Sequence, residues 1–97
     1  MREANAGSML FTGGGAALKA HPGMASLCAG KAALRLWVLT LAEDLRDTGI
    51  RVGTVTVHGR VAPGTAFDPD DIAAAFMRLH HGRAVGPEIH ITGGPPP

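Results

Sequence analysis

The chain is poor in aromatic residues, in cysteine and in long apolar runs. Aromatic residues make up 4% of its 97 residues, so a core has to be built mainly from Ala, Leu, Val and Ile. Cys28 is the one cysteine, which excludes a disulfide within the chain and favours a reducing compartment. The longest apolar stretch, residues 32–42, is interrupted by Arg35 and Thr40 and is shorter than the roughly 20 residues of a membrane span.

Charge is also sparse and has no clear pattern. The net charge is +1, and the nine basic residues form no stripe, whereas a nucleic-acid-binding protein usually presents a basic patch with stacking aromatics. The N-terminal residues are polar and do not resemble a signal peptide. The five histidines show no metal-ligand spacing. We therefore expect a cytoplasmic protein that binds no nucleic acid, no membrane and no metal.

The length fits one small domain over residues 1–97. We expect residues 1–7 to be a lead-in and the proline-rich residues 94–97 to be a frayed tail. Between them, short apolar segments alternate with helix-forming segments in the order β-α-β-α-β, which predicts a three-stranded parallel sheet of the α/β class. The predicted elements are strands over 8–12, 51–58 and 88–92, and helices over 24–47 and from 69 to about 82.

Start and stop signals support these boundaries. Asp68 followed by Pro69 is a strong N-terminal signal for the second helix, because an aspartate caps the free N–H groups and proline suits the first helical position. Gly49 is predicted to be a left-handed residue that ends the first helix. The glycines at 13–15 are predicted to form a loop after the first strand. This loop does not open directly into a helix, which disfavours phosphate binding by it.

The first predicted helix is apolar around most of its circumference. A helix that is apolar on more than one face is buried on more than one side, so we expect a homo-oligomer that forms through the 24–47 helix. Trp37 is then a core or interface anchor. The alternative is a strongly apolar helix with a few exposed leucines. The residues that carry the pattern are Leu27, Cys28, Leu34, Leu36, Trp37, Val38, Leu39, Leu41 and Leu45.

Four segments, in order and suitably spaced, resemble the short-chain dehydrogenase/reductase family. They are the strand and glycine loop at 7–16, the lysine-bearing segment at 29–35, the helix end and strand at 41–45 with 49–52, and the turn at 57–61. Together they extend the resemblance over about residues 7–93. It implies the C-terminal half of a Rossmann-like domain and, for the family, NAD or NADP as cofactor. The family's glycine-rich cofactor turn belongs to a preceding half that this sequence lacks.

The sequence departs from the family at the catalytic positions. Leu27 stands four residues before Lys31, where the family has its catalytic tyrosine, and no hydroxyl occurs at 13–15, where its serine is expected. Lys31 alone remains of the catalytic set, and His58 replaces a proline. By resemblance, the positions that would contact a cofactor are Lys31, His58, Gly59 and Val61.

These departures remove the chemistry that the family performs. Hydride transfer to a carbonyl needs a proton donor for the developing alkoxide, and a leucine side chain cannot supply a proton. We therefore expect a fragment that has no oxidoreductase activity and no bound cofactor on its own. The alternatives are a non-enzymatic homodimerisation module and one part of an active oxidoreductase that is completed by a separate cofactor-binding half.

Overall fold

A computed structural model of the chain describes residues 4–93, so residues 1–3 of the predicted lead-in and the predicted tail at 94–97 lie outside the described residues. The three strands form a parallel sheet in the order β1-β2-β3. The predicted element order and α/β class are confirmed. The elements are β1 (Gly7–Gly14), a 3₁₀ turn (Gly15–Ala17), α1 (Ala25–Asp44), β2 (Ile50–Val57), α2 (Pro69–His80) and β3 (Glu88–Ile91).

Strand β1 is longer than predicted, because two glycines assigned to the loop belong to the sheet. Gly13 pairs with Thr56, and Gly14 pairs with Val57. A Cβ atom on Gly13 would lie 3.0 Å from Thr56 Oγ1 and 3.1 Å from Thr54 Oγ1, so glycine leaves room for two hydroxyl groups of β2. The loop prediction at Gly13 and Gly14 was wrong, since a glycine within a strand can also mark a close approach of this kind.

Helix α1 ends at Asp44 with Leu45 as its C-cap, earlier than the predicted end at 47. The predicted left-handed conformation of Gly49 was also wrong, because Gly49 is not among the glycines with positive φ. Its N–H donates to Asn5 Oδ1 at 3.1 Å, and a Cβ there would overlap the carbonyl oxygen of Asn5. Glycine is therefore needed at this position for the close passage of residue 5.

Helix α2 begins and ends as the sequence predicts. Asp68 is the N-cap, its carboxylate accepts a hydrogen bond from the N–H of Asp70 at 2.8 Å, and Pro69 occupies the first turn. The carboxylate also accepts from the N–H of Gly64 at 2.6 Å, and these backbone hydrogen bonds lower the pKa of Asp68. Gly82 follows the helix with a φ of +68°, the left-handed conformation that glycine adopts without strain.

The two helices lie on opposite faces of the sheet, because alternate side chains of β2 point to opposite sides. On one face, α1 packs on β1 and β2 around a core of Val38, Leu45, Ile50 and Val52. On the other face, α2 packs around a core of Val55, Val57, Ile72, Ala75 and Leu79. Each face therefore has a core of its own, and both cores include residues of β2.

This arrangement gives the two crossover connections opposite hands. Helix α1 joins β1 to β2, and α2 joins β2 to β3, so both connections step across the sheet in the same direction. Because the helices lie on opposite faces, one of the two crossovers must be left-handed. About 98% of parallel crossovers are right-handed, which makes this an uncommon topology.

Most of α1 remains accessible to solvent. Val38 is its one buried residue, and Leu36 and Trp37 are 68% and 52% exposed. By length and composition α1 is apolar enough to cross a membrane, a test that the mostly buried core helix of a soluble protein and a signal sequence also pass. The apolar stretch at 32–42 did not predict this, because the helix also includes apolar residues that precede it. The expectations of a cytoplasmic location and of no membrane binding stay predictions.

Candidate functional site

The last residues of β1 and β2 open onto a cavity of about 620 Å³. In open α/β sheets, ligands bind beyond the carboxyl ends of the strands, and this volume lies within the usual range for small-molecule sites. The walls come from the loop after β1, the first two turns of α1 and the end of β2. The lining residues are Gly14, Gly15, Ala16, Lys19, His21, Met24, Leu27, Lys31, Val57, His58 and Gly59.

The cavity brings together most of the positions that the family resemblance singled out. Leu27 and Lys31 lie one helical turn apart on the side of α1 that faces the cavity, and His58 and Gly59 line the opposite wall. Val61 does not line the cavity, and its side chain is 52% exposed. A cofactor contact at Val61 stays a prediction.

The lining residues carry neither a hydroxyl nor a carboxyl side chain. Leu27, the position at which the resemblance predicts a tyrosine, presents an alkyl group to the cavity. Ser26, the nearest hydroxyl in sequence, is not a lining residue. The cavity therefore has no side chain that could serve as a tyrosine-like proton donor next to Lys31.

The cavity wall is richer in basic side chains than the nearly balanced charge of the sequence predicts. Lys19 and Lys31 are its only two lysines, and both line the cavity together with His21 and His58. The chain as a whole is nearly balanced, with nine Lys and Arg residues against eight Asp and Glu residues. A wall with several basic groups and no acidic group is thus a local feature and not a consequence of composition.

A chain of side-chain hydrogen bonds leads from His58 away from the cavity. His58 Nε2 lies 2.8 Å from His90 Nδ1, and His90 Nε2 lies 3.0 Å from Glu88 Oε1. The three residues lie on the α1 face, because His90 pairs in register with Thr56 and Glu88 pairs with Thr54. The histidine at the cavity is therefore positioned from behind by a second histidine and a carboxylate.

Glu88, the last residue in this series of hydrogen bonds, is held by Arg35 of α1. Arg35 Nε donates to Glu88 Oε2 at 2.8 Å, and Arg35 Nη2 donates to Glu88 Oε1 at 2.7 Å. Thr56 Oγ1 also donates to Glu88 Oε2 at 2.7 Å. The hydrogen bonds from Arg35 are the main cause that lowers the pKa of Glu88 to about 2; partial burial opposes them, and Thr56 and His90 add to them.

An ionised Glu88 determines which ring nitrogens donate. A carboxylate only accepts hydrogen bonds, so the proton between His90 and Glu88 lies on His90 Nε2. In a neutral ring His90 Nδ1 is then an acceptor, and His58 Nε2 donates to it. This leaves His58 Nδ1, next to Gly15 at the cavity wall, as an acceptor for a hydrogen bond from a ligand.

Sequence reasoning identified the wall of the cavity and missed the group of residues behind it. Glu88 and His90 lie in the last strand and Arg35 in an apolar helix, 53 residues away from Glu88. A signal was present, because a single charged residue in the middle of an apolar helix and another at the start of a strand each need a partner if they are buried. The sequence did not show that they pair with each other.

No group of three or more His, Cys, Asp or Glu side chains within residues 4–93 could hold a metal ion. His58 and His90 come together, but the facing nitrogens hydrogen-bond to each other.

Comparison of the chain with protein-family models, with curated proteins and with solved structures finds no match.

Proposed function

We propose that the chain is a half-domain of the short-chain dehydrogenase/reductase type, part of a Rossmann-like fold, and that it has no oxidoreductase activity on its own. The observation that carries the proposal is that Leu27 and Lys31 face one cavity, together with the loop after β1 and the turn after β2. This is the arrangement expected if the four resembling segments have the family's relative positions.

The lost activity follows from the chemistry of the cavity. Reduction of a carbonyl requires a proton donor within hydrogen-bond distance of the developing alkoxide, and a positioned general acid contributes about 10²- to 10⁴-fold to the rate. Leu27 cannot act as this acid. The cofactor carries the hydride, and a dinucleotide needs binding groups for its pyrophosphate that the resemblance does not assign to this chain.

The sheet supports the view that this is a half-domain. Among the described residues, β1 pairs with β2 along one edge only, and its eight residues include no proline and no charged side chain. Proteins usually protect such an edge with charges, prolines, bulges or a covering element. A further strand alongside β1 would extend the parallel sheet in the direction in which a Rossmann-like domain continues, and NAD or NADP is the cofactor that the completed domain would bind.

The proposal is tested by separating cofactor binding from turnover. The purified chain is titrated with NADH and with NADPH in a calorimeter, and ketone reduction is followed by loss of nicotinamide absorbance. We expect neither binding heat nor turnover. Turnover by the isolated chain would refute the proposal. Dinucleotide binding without turnover would also contradict it in this form and would favour the alternative that the chain is one part of an active enzyme.

A second candidate role, homodimerisation, is favoured by the outer surface of α1. Its exposed residues include Ala29, Ala33, Leu36, Trp37 and Thr40. Trp37 also contacts Phe11 of β1 edge-on, with ring centroids 5.4 Å apart, so this apolar surface continues towards the free edge of the sheet. Buried tryptophans are frequent anchors of protein interfaces.

The dimer is tested by the mass of the chain in solution. Light scattering coupled to size-exclusion chromatography distinguishes a 9.9 kDa monomer from a particle of twice that mass. We expect a dimer at micromolar concentration. A monomer over the whole accessible concentration range would exclude this role.

A further inference from the structure

We propose that the cavity beyond β1 and β2 binds a small carboxylate that has an apolar body. This ligand is neither the dinucleotide nor the carbonyl substrate that the family resemblance implies. The proposal also does not depend on self-association, because the cavity lies between the glycine loop and the inner side of α1.

The wall of the cavity carries positive charge that no acidic lining residue compensates. Within the described part of the chain, Arg35 is paired with Glu88 and Arg46 with Glu43, whereas Lys19 and Lys31 take part in no ion pair. Both lysines line the same cavity, and no acidic residue does. An anionic ligand in the cavity would have two ammonium groups to pair with and no carboxylate to repel it.

Apolar side chains form much of the rest of the wall. Met24, Leu27 and Val57 line the cavity together with Ala16, and Met24 and Leu27 are about half exposed in the free protein. An apolar group that covers these side chains gains roughly 25 cal/mol for each Å² of apolar surface removed from water. An inorganic anion would leave this surface wet, so a ligand with both an anionic group and an apolar body fits the wall better.

The glycine loop at the cavity lacks the geometry of a phosphate site, which favours a carboxylate over a phosphate. Phosphate sites in α/β proteins gather free backbone N–H groups at a glycine loop that opens into a helix. Here Gly13 and Gly14 belong to β1 and pair with β2, and a 3₁₀ turn and a further loop separate them from α1. The cationic side chains of the wall are those of Lys19 and Lys31, which bind a carboxylate through charge-assisted hydrogen bonds.

The experiment is a calorimetric titration of the full chain with octanoate, with octanol and with inorganic phosphate. Octanol has the same apolar body without the charge, and phosphate has charge without an apolar body. We expect saturable binding of one octanoate per chain, at least tenfold tighter than octanol, and weaker binding of phosphate. Octanol binding as tight as that of octanoate, or phosphate binding as tight, would overturn the proposal.

Two variants assign the binding to the cavity. Lys31→Gln and Lys19→Gln each remove one charge-assisted hydrogen bond, so each should weaken octanoate by about tenfold or more. Arg46→Gln removes the same charge from an exposed ion pair outside the cavity and should leave the affinity unchanged. Unaltered affinity in both lysine variants would overturn the proposal. Loss of binding in Trp37→Glu instead would place octanoate on the outer side of α1 and would also overturn it. Far-ultraviolet circular dichroism confirms that each variant is folded.

Discussion

Replacing Glu88 by glutamine tests the partly buried ion pair between Glu88 and Arg35. The side chain of Glu88 is 11% exposed and that of Arg35 is 31% exposed, so solvent screens their ion pair less than it screens an exposed one. The pKa of Glu88 falls from its ordinary 4.5 to about 2 in the folded protein. Since one pKa unit corresponds to about 1.4 kcal/mol, the ionised carboxylate stabilises the folded state by about 3 kcal/mol at neutral pH.

The sign of the pH dependence follows from this depressed pKa. The folded state holds Glu88 ionised at pH values where the unfolded chain already binds a proton, so stability falls as the pH is lowered. The contribution is fully present above about pH 5 and is lost progressively as the pH falls through about 2. Glu88→Gln has no carboxyl group to titrate at this position and should lack this component of acid destabilisation.

Urea unfolding followed by circular dichroism at a series of pH values measures the effect. The free energy of unfolding of Glu88→Gln should be lower than that of the unaltered chain by about 3 kcal/mol at pH 7, and the difference should shrink as the pH approaches 2. Glu43→Gln is the matched control, because its ion pair with Arg46 is exposed and should contribute little. A difference between Glu88→Gln and the unaltered chain that stays constant with pH would refute the reasoning.

Three further substitutions test other parts of the structure. Leu27→Tyr places a hydroxyl next to Lys31 and should still give no ketone reduction with added nicotinamide dinucleotide, because a hydroxyl alone supplies no binding groups for the dinucleotide; measurable turnover contradicts this. Trp37→Glu places a charge on the outer side of α1 and should reduce the mass in light scattering to that of a monomer, whereas Val85→Glu, at another exposed apolar position, should not. Gly53→Ala puts a Cβ 2.9 Å from a backbone carbonyl oxygen and should lower the free energy of unfolding by about 1–3 kcal/mol. Gly86→Ala, which meets nothing within 4 Å, is its control, and equal urea midpoints would count against the close contact.

The sequence predicted the order of elements because each is marked locally. Asp68 and Pro69 specify the start of α2 without help from the rest of the chain, and the β-branched residues of 51–57 favour a strand in any α/β context. Glycines were the least predictable positions. Gly13, Gly14 and Gly49 were each assigned to a turn or a cap, whereas the structure uses Gly13 and Gly49 to let another segment pass closely. Such a neighbour is distant in sequence, so no local pattern reveals it.

The sequence predicted one wall of the candidate site and did not predict the hydrogen-bonded group behind it. Lys31 and Leu27 are four residues apart on one helix, so their shared face follows from helical geometry. The hydrogen-bonded group of Arg35, Glu88 and His90 depends on the register between β2 and β3 and on which face α1 covers. Register is a non-local property, and a shift of one residue would move Glu88 to the other face.

The opposite hands of the two crossovers have a consequence for how the domain opens. With one helix on each side, β2 is enclosed between two cores, and seven of its eight residues are buried, while β1 and β3 are each held along one edge. Loosening α1 alone exposes one side of β2 and leaves the other side packed under α2, and the reverse holds for loosening α2. The amide protons of residues 54–57, the part of β2 that pairs with both neighbouring strands, should therefore be the slowest to exchange with solvent, whereas those at the outer edges of β1 and β3 exchange through local fluctuations.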